Sequence, residues 1–232
     1  MIPWLTESSP FPHVFKALKE PNGLLAAGGS LTPDRLLDAY RHGIFPWFNE
    51  EDPVLWWSPD PRMVLFPEEF RISSSFAKVL RNKPHEVRTD TSFEQVMRAC
   101  AAPRPCAEPG RSEQTGTWIS EQMIAAYCEL FKLGHAHSIE TWMDGKLVGG
   151  LYGVSIGRMF YGESMFSLEP NASKIALAHL CTRGPLMVDC QMHTPHLASL
   201  GARLIPRDEF VERLAELIHC EPAGWQRPNP GS

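Results

Sequence analysis

The sequence lacks the cysteine and histidine patterns that hold metal ions or crosslink small domains. Its six cysteines occur singly, with no Cys-x-x-Cys pair and no histidine pair at zinc spacing. No Gly-x-Gly-x-x-Gly run, the pattern that cradles phosphates, opens a helix. We therefore expect neither a metal site nor a disulfide framework.

Long apolar runs and an excess of basic charge are also missing. No stretch approaches the roughly 20 apolar residues that cross a bilayer. The first residues have no basic segment leading into an apolar run, so we expect no signal peptide. These features predict a cytoplasmic protein with no membrane partner. The net charge of -5 argues against indiscriminate binding to nucleic acid, but it leaves a local basic patch open.

An apolar content of 43% over 232 residues is enough for a substantial buried core. Residues 1–61 are rich in proline, glycine and tryptophan, whereas helices and strands alternate from Arg62 onward. We predict a small N-terminal domain over residues 1–61 and a second domain over residues 62–232. The tail of the second domain is predicted to be irregular from about residue 221.

The N-terminal part shows one clear helix and two stiff aromatic segments. Thr32 suits the N-cap, Pro33 the first helical position, and Gly43 the end of the helix. The runs at 44–48 and 56–62 place aromatic residues beside prolines. Because proline stiffens the backbone and removes a hydrogen-bond donor, these runs favour rigid loops over strands.

Hydrophobic periodicity and turn residues predict an α+β layer fold for the rest of the chain. Early helices are followed by an antiparallel meander with an Asp144-Gly145 hairpin turn, and then by a helix feeding one more strand. Residues 102–116 lack periodicity and predict a surface loop. The predicted strands lie at 63–66, around Val87, and at 137–143, 146–155, 158–166 and 186–191, and the helices at 74–81, 92–101, 120–133, 171–182 and 207–219.

Two polar residues end a predicted core strand. Because side chains alternate along a strand, Asp189 and Gln191 point to the same face, opposite Val188 and Cys190. They would thus emerge together into a cleft. The alternative is that Asp189 caps the following turn while Gln191 is exposed.

A single carboxylate, Glu163, lies among aromatic residues on the strand at 158–166. Burying an isolated carboxylate is costly unless it is paired or kept for a ligand. The alternative to a functional role is a salt bridge with an internal lysine or arginine. Gly162 favours the functional interpretation, because a strand glycine often marks the close approach of a ligand or another backbone.

Four tryptophans and a group of basic residues suggest contacts with nucleic acid. Core packing is the default for any one tryptophan, but an exposed pair could stack on a base. The basic residues could follow phosphates or form a solvated helix face. The tryptophans are Trp47, Trp56, Trp57 and Trp118, and the basic residues are Arg71, Lys78, Arg81, Lys83 and Arg88.

Taken together, the motifs closely resemble those of the bacterial leucyl/phenylalanyl-tRNA-protein transferases. They run in the family's order across nearly the whole chain. Departures lie in the 102–116 loop and at 192–195. The matching stretches are EPNGLLA (20–26), GIFPWF (43–48), WWSPDPR (56–62), GTWI (116–119), GHAHSIE (134–140), GGLYG (149–153), GESMFS (162–167), NASK (171–174) and DCQ (189–191).

The resemblance implies a small N-terminal domain followed by an acetyltransferase-like (GNAT-type) mixed-sheet domain. It also implies transfer of Leu or Phe, less often Met, from aminoacyl-tRNA to proteins beginning with Arg or Lys, creating a degradation signal. A monomer is expected. The implied catalytic pair is Asp189 with Gln191, Glu163 lines the reaction cleft, Trp47 and Trp118 clamp the terminal adenosine, and Leu151, Phe160, Leu177, Leu180 and Val188 form the acyl pocket.

The chemistry of such a transfer needs no cofactor, because attack of an amine on an ester is downhill and requires mainly positioning. We expect Gln191 to hydrogen-bond the amine, Asp189 to orient Gln191 and favour positive charge, and Glu163 to attract the acceptor's basic side chain or hold its amine. One alternative is an acetyl-CoA-dependent N-acetyltransferase, although its pyrophosphate-binding glycine turn is missing at 167–174. Another is a non-catalytic RNA-binding module.

Overall fold

The structure is a computed structural model that describes residues 1–102 and 119–225. Apart from Ala102, the loop predicted at 102–116 lies outside the described residues, as do Trp118 and the end of the predicted tail. Residues 221–225 form no helix or strand, as predicted for that segment. None of the described helices combines the length and apolarity that a membrane span needs.

The N-terminal part forms a four-stranded sheet and one helix. The strands are β1 (Trp4–Leu5), β2 (Leu24–Gly28), β3 (Phe45–Pro46) and β4 (Leu55–Trp57), in the order β1-β2-β4-β3. The helix is α1 (Pro33–Arg41), which begins after Thr32 with proline in its first turn, as predicted. The apolar face of α1 is buried, with Leu36, Ala39 and Tyr40 fully inaccessible.

The prediction that the aromatic segments form loops rather than strands is wrong. Trp56 in β4 pairs with Ala26 on one side and with Pro46 on the other. Pro46 fits because β3 is an edge strand, where a missing N–H breaks no ladder. The Trp56 ring is fully buried and its Nε1 donates to the Gly28 carbonyl oxygen at 2.8 Å. The aromatic segments therefore contribute strands to the small sheet.

The remaining chain forms a seven-stranded mixed sheet with helices, which confirms the α+β fold class. Only the neighbours β9 and β10 are parallel; the other neighbouring strands of this sheet are antiparallel. The order is β11-β5-β10-β9-β8-β7-β6. The strands are β5 (Arg62–Leu65), β6 (Glu86–Thr89), β7 (Ala136–Met143), β8 (Lys146–Ile156), β9 (Met159–Ser167), β10 (Met187–Gln191) and β11 (Arg203–Ile205), and the helices α2 (Ser74–Asn82), α3 (Phe93–Ala101), α4 (Glu121–Leu133), α5 (Ala172–Thr182), α6 (Pro195–Ser199) and α7 (Arg207–Leu217).

Local signals explain why most of these elements begin and end where they do. Ser120 caps α4 by accepting from the Met123 N–H at 3.3 Å, and Gly134 ends α4 in the left-handed conformation. Asp144 and Gly145 have φ angles of 49° and 71°, as a tight hairpin turn requires. The short elements α6 and β11 were not predicted, because five and three residues carry too little periodicity.

Two hydrophobic clusters fill the molecule. One joins both sheets and includes Trp56 from β4 and Tyr161 from β9. The second lies between α5 and the large sheet and includes Phe160, Leu177 and Val188. Because one cluster crosses residue 61, the division into two domains there stays a prediction.

Candidate active site

A cavity of about 550 Å³ opens beside the second hydrophobic cluster. Its walls come from β8, β9, α5 and β10, from Phe45 in β3 of the small sheet, and from Trp47 just after β3. Thr194, His196 and Leu197 complete the rim at α6. The cavity is thus assembled from segments that lie far apart in the sequence.

The five residues predicted for the acyl pocket all line this cavity, and each is at most 3% exposed. They come from β8, β9, α5 and β10, whose packed faces form one apolar wall. Met165 and Leu197 add to that wall and were not predicted. The five predicted residues are Leu151, Phe160, Leu177, Leu180 and Val188.

Glu163 lies at the polar end of the cavity, where it is 6% exposed. Its Oε1 accepts from the Tyr40 hydroxyl at 2.7 Å and from Gln191 Nε2 at 3.2 Å. Its Oε2 accepts from the Tyr127 hydroxyl at 3.1 Å. Within the described residues Glu163 forms no ion pair, so the alternative of an internal salt bridge is not what the structure has.

The buried surroundings of Glu163 change its acidity. Loss of hydration on burial raises the pKa of this carboxyl to about 7, against the hydrogen bonds from Tyr40 and Tyr127, which stabilise the charged form. Burial, followed by the charge of Glu163, raises the pKa of Tyr40 well above its usual value. Glu163 is therefore the group in this cluster that titrates near neutral pH.

Asp189 is among the residues that line the cavity, but the prediction that its carboxylate emerges there beside Gln191 is wrong. Its side chain is fully buried in a bidentate pair with Arg62, with Nε to Oδ1 at 2.8 Å and Nη2 to Oδ2 at 2.7 Å. The guanidinium lies between the rings of Phe45 and Phe210, 4.7 Å from each centroid. This pairing offsets the large cost of burying the Asp189 carboxylate, although Arg62 Nη1 has no hydrogen-bond partner among the described residues.

Gln191 leaves the regular strand geometry. The register between β10 and β5 shifts between Asp189 and Gln191, and Gln191 has a φ of 60°. Its backbone N–H donates to Asp189 Oδ1 at 2.9 Å, so Asp189 caps this turn, as the alternative interpretation had it. Gln191 itself is half-buried, lines the cavity and reaches Glu163. The bulge is what turns its amide toward Glu163.

Trp47 is the exposed aromatic residue at the cavity mouth. It is 38% exposed, and its carbonyl oxygen accepts from Trp57 Nε1 at 2.6 Å. Trp56 and Trp57 are buried, so neither offers a stacking face. Trp118, predicted as the second half of the clamp, lies outside the described residues. The structure therefore places one of the two predicted stacking rings at the site.

The five predicted tRNA-contacting basic residues lie outside the cavity lining. Lys83 pairs with Glu169 at 3.8 Å and Arg88 with Glu86 at 2.7 Å, so acidic neighbours offset both charges. The remaining three, Arg71, Lys78 and Arg81, are exposed, two of them on α2. A role in holding tRNA stays a prediction.

Three residues of the site were missed by sequence reasoning: Arg62, Tyr40 and Tyr127. Tyr40 has the apolar spacing of α1, and Tyr127 lies on the buried face of α4, so both resemble ordinary core residues. Their partner Glu163 lies 123 and 36 residues away in sequence. An unpaired buried carboxylate was the one available signal that such donors must exist. No group of acidic, cysteine or histidine residues suited to a metal occurs in the described part of the chain.

Comparison with known proteins gives matches along nearly the whole chain. A family model described as leucyl/phenylalanyl-tRNA protein transferase matches residues 64–215, and its N-terminal domain model matches residues 29–60. A protein named leucyl/phenylalanyl-tRNA–protein transferase from Thiobacillus denitrificans is 62% identical, over 95% of this chain and 96% of the relative. One of the same name from Nitrosospira multiformis is 60% identical, over 94% and 93%.

Among solved structures, a GCN5-related N-acetyltransferase from Kribbella flavida matches part of the chain. The TM-score is 0.38 at 11% identity, covering 75% of this chain and 61% of that one. The sequence relatives cover more of the chain at far higher identity.

Proposed function

The chain belongs to the leucyl/phenylalanyl-tRNA-protein transferase family, and we propose that it transfers Leu or Phe, and also Met, from aminoacyl-tRNA to proteins beginning with Arg or Lys. The observation that carries this proposal is one cavity with an apolar wall and a polar end formed by Glu163 and Gln191. The modified protein would carry a destabilising N-terminal residue that marks it for degradation. We propose that the protein acts as a monomer and needs no cofactor.

The apolar wall suits the side chain of the transferred amino acid. Leu177 and Phe160 are nearly inaccessible yet face the cavity, so an unbranched or γ-branched side chain would replace solvent against them. A hydrophobic pocket discriminates one methylene by only about 1–3 kcal/mol. Acceptance of several apolar side chains is the expected consequence.

The polar end suits the incoming amine. With its Nε2 donating to Glu163, the Gln191 amide oxygen is left to accept from the α-amine of the acceptor. Glu163 lies close enough to Gln191 to hold the same amine. Asp189 acts through the backbone of Gln191, because its fully buried carboxylate is paired with Arg62 and accepts from the Gln191 N–H. Gln191 is thus proposed as the catalytic contact and Asp189 as its positioning partner.

The tRNA is proposed to bind across the cavity mouth. Trp47 offers a half-exposed ring beside the acyl cavity, where the terminal adenosine would stack, with Trp118 as its proposed partner. The exposed basic residues Arg71, Lys78 and Arg81 are proposed to contact phosphates of the tRNA body.

One assay tests the function. The protein is incubated with labelled Leu-tRNA, or separately with labelled acetyl-CoA, and a peptide that begins with Arg. Label is expected on the peptide from Leu-tRNA, and none on a matched peptide that begins with Ser. Label that reaches the peptide only from acetyl-CoA would overturn the proposal in favour of an N-acetyltransferase.

Replacing Trp47 with alanine should weaken donor binding. A stacked base contributes about 1–3 kcal/mol, and a ring on one side of the adenosine should fall near the lower end, roughly fivefold in Kd. The measurement is the affinity for a 3′-aminoacyl-adenosine mimic. Trp142→Ala, which removes a half-buried tryptophan away from the cavity lining, serves as the matched control. Equal affinities for both variants would remove Trp47 from the adenosine site.

A further inference from the structure

Resting on the proposed transferase function, we infer that Glu163 is the proton acceptor of the reaction and that Tyr40 and Tyr127 position it for that role. The role differs from attraction of the acceptor's basic side chain, because it concerns the proton that the attacking amine loses.

The side chains of Glu163, Tyr40 and Tyr127 form a closed triangle of contacts. Tyr40 contacts Glu163 Oε1 at 2.7 Å, Tyr127 contacts Oε2 at 3.1 Å, and the two tyrosine hydroxyls hydrogen-bond to each other. Both tyrosines are fully buried, on α1 and α4, so water cannot take the place of a missing partner. Apart from the Gln191 amide that donates to Oε1, the hydrogen bonds of this triangle are therefore satisfied within it.

Counting protons shows what the triangle needs. Each tyrosine hydroxyl supplies one proton, and an ionised carboxylate supplies none. With Glu163 ionised, the three contacts share two protons, so two of the oxygens face each other with no hydrogen between them. A proton on Glu163 completes the ring, with the carboxyl donating to Tyr127, Tyr127 to Tyr40, and Tyr40 back to the carboxyl. The triangle can therefore hold Glu163 in either state: ionised, with both tyrosines donating to it, or protonated, with the ring of hydrogen bonds complete.

Asp189 cannot take this proton. Oδ1 already accepts from Arg62 Nε and from the Gln191 N–H, and Oδ2 accepts from Arg62 Nη2. Protonating this carboxylate would leave the buried guanidinium without its counter-charge, which is strongly unfavourable. Gln191 is a neutral amide and a very poor base. Two other titratable residues line the cavity: His196 lies at the rim on α6, and burial raises the pKa of the Cys190 thiol. Glu163 hydrogen-bonds Gln191 and is the group at the polar end of the cavity that suits a proton.

The electrostatic surroundings of Glu163 agree with this role. The pKa of Glu163 is raised to about 7: burial raises it most, the hydrogen bonds from Tyr40 and Tyr127 lower it, the charge of Asp189 raises it and that of Arg62 lowers it. An α-amine titrates at about 7.7–8.0. The nitrogen becomes more acidic once it has bonded to the carbonyl carbon, so passing its proton to a carboxylate with a pKa of about 7 is favourable.

In the proposed step a proton passes from the amine to Glu163 and then to the departing ribose oxygen. The neutral α-amine attacks the carbonyl carbon of the aminoacyl ester, forming the C–N bond, while the proton it loses passes to ionised Glu163. The bond from that carbon to the ribose oxygen of the tRNA then breaks. Glu163 returns the proton to the departing oxygen, directly or through the neighbouring ribose hydroxyl, so that an amide and a free 3′ end result.

Glu163→Gln tests the inference, because it keeps the size of the side chain and removes its basicity. In single-turnover transfer from Leu-tRNA to an Arg-peptide, the rate should fall by about 10²–10⁴-fold, with little change in affinity for the donor mimic. Below pH 7 the logarithm of kcat/KM should rise by about two per pH unit in the parent protein, since Glu163 and the amine must both lose a proton. In Glu163→Gln the slope should fall to about one.

Tyr40→Phe and Tyr127→Phe test the positioning role. Each removes a hydrogen bond that stabilises the carboxylate, so the pKa of Glu163 should rise and its limb of the pH profile should move to higher pH. The limb set by the amine should stay in place. Tyr152→Phe is the matched control, because Tyr152 is also fully buried in this region but its hydroxyl has no hydrogen-bond partner among the described residues.

Other outcomes separate the possible failures. A parent protein that moves no label from Leu-tRNA would overturn the proposed function itself. If the parent protein is active and Glu163→Gln transfers within a few-fold of its rate, the proton role alone is overturned. The same holds if Glu163→Gln raises only the KM for the acceptor. Weaker binding of the donor mimic to Glu163→Gln would show that the carboxylate contacts the donor instead.

Discussion

Arg62→Met is expected to lower the free energy of unfolding by about 3–5 kcal/mol, the usual cost of leaving a buried charge without its partner. Asp189 is fully inaccessible, and its two oxygens depend on Arg62. Methionine replaces the stem of the arginine between Phe45 and Phe210 without replacing its charge. Urea denaturation followed by circular dichroism measures the change.

Two further variants show that the effect comes from the orphaned carboxylate. Arg62→Met combined with Asp189→Leu should recover much of the loss, because a buried ion pair replaced as a whole by apolar side chains is often nearly neutral. Arg203→Met is the matched control, since its pair with Glu69 is 44% and 40% exposed and should contribute less than about 1 kcal/mol. Equal losses for Arg62→Met and Arg203→Met would contradict the importance of the buried pair.

Leu177→Phe is expected to reduce transfer of Phe far more than transfer of Leu. Leu177 lies on α5, is 2% exposed and lines the cavity opposite β9 and β10, so a ring there takes space that the larger acyl group needs. The ratio of kcat/KM for Phe-tRNA to that for Leu-tRNA should fall by roughly 10-fold to 200-fold. Transfer assays with each charged tRNA give the ratio directly.

Leu168→Phe makes the same chemical change on a side chain that is 72% exposed and lies outside the cavity lining. It should leave the ratio unchanged. Overpacking at Leu177 costs about 1–3 kcal/mol of stability, so a thermal melt must show that the variant is folded. If both donors lost activity equally in folded Leu177→Phe, the cavity would not be the acyl pocket.

Much of the local structure follows from residues that are close together in the chain. The helix after Thr32, the hairpin at Asp144 and Gly145, and the helix ending at Gly134 were predicted because caps and turns depend on neighbouring residues. The strands at Phe45–Pro46 and Leu55–Trp57 were missed. Whether proline is tolerated in a strand depends on its place at a sheet edge, which local sequence does not contain.

The five apolar residues that the family resemblance implies all line the cavity, whereas Met165 and Leu197 were not predicted. Three of the five lie on β8, β9 and β10 and two on α5, and packing brings them to one cavity. For the polar part, the sequence predicted which residues are involved but not their surroundings. Asp189 was assigned to the cleft, yet its carboxylate is buried against Arg62, because the two strands that carry them are neighbours in the sheet.

The sequence by itself determined the family, the α+β class and the identity of the groups that could do chemistry: Glu163, Asp189 and Gln191. Only the tertiary structure decided the burial and the partners of these groups. Glu163 and Asp189 are both buried carboxylates, but one meets tyrosine hydroxyls and the other a guanidinium. The behaviour of a carboxyl depends on its burial and on partners brought from distant parts of the chain, so folding paired Asp189 with a guanidinium and raised the pKa of Glu163 to about 7.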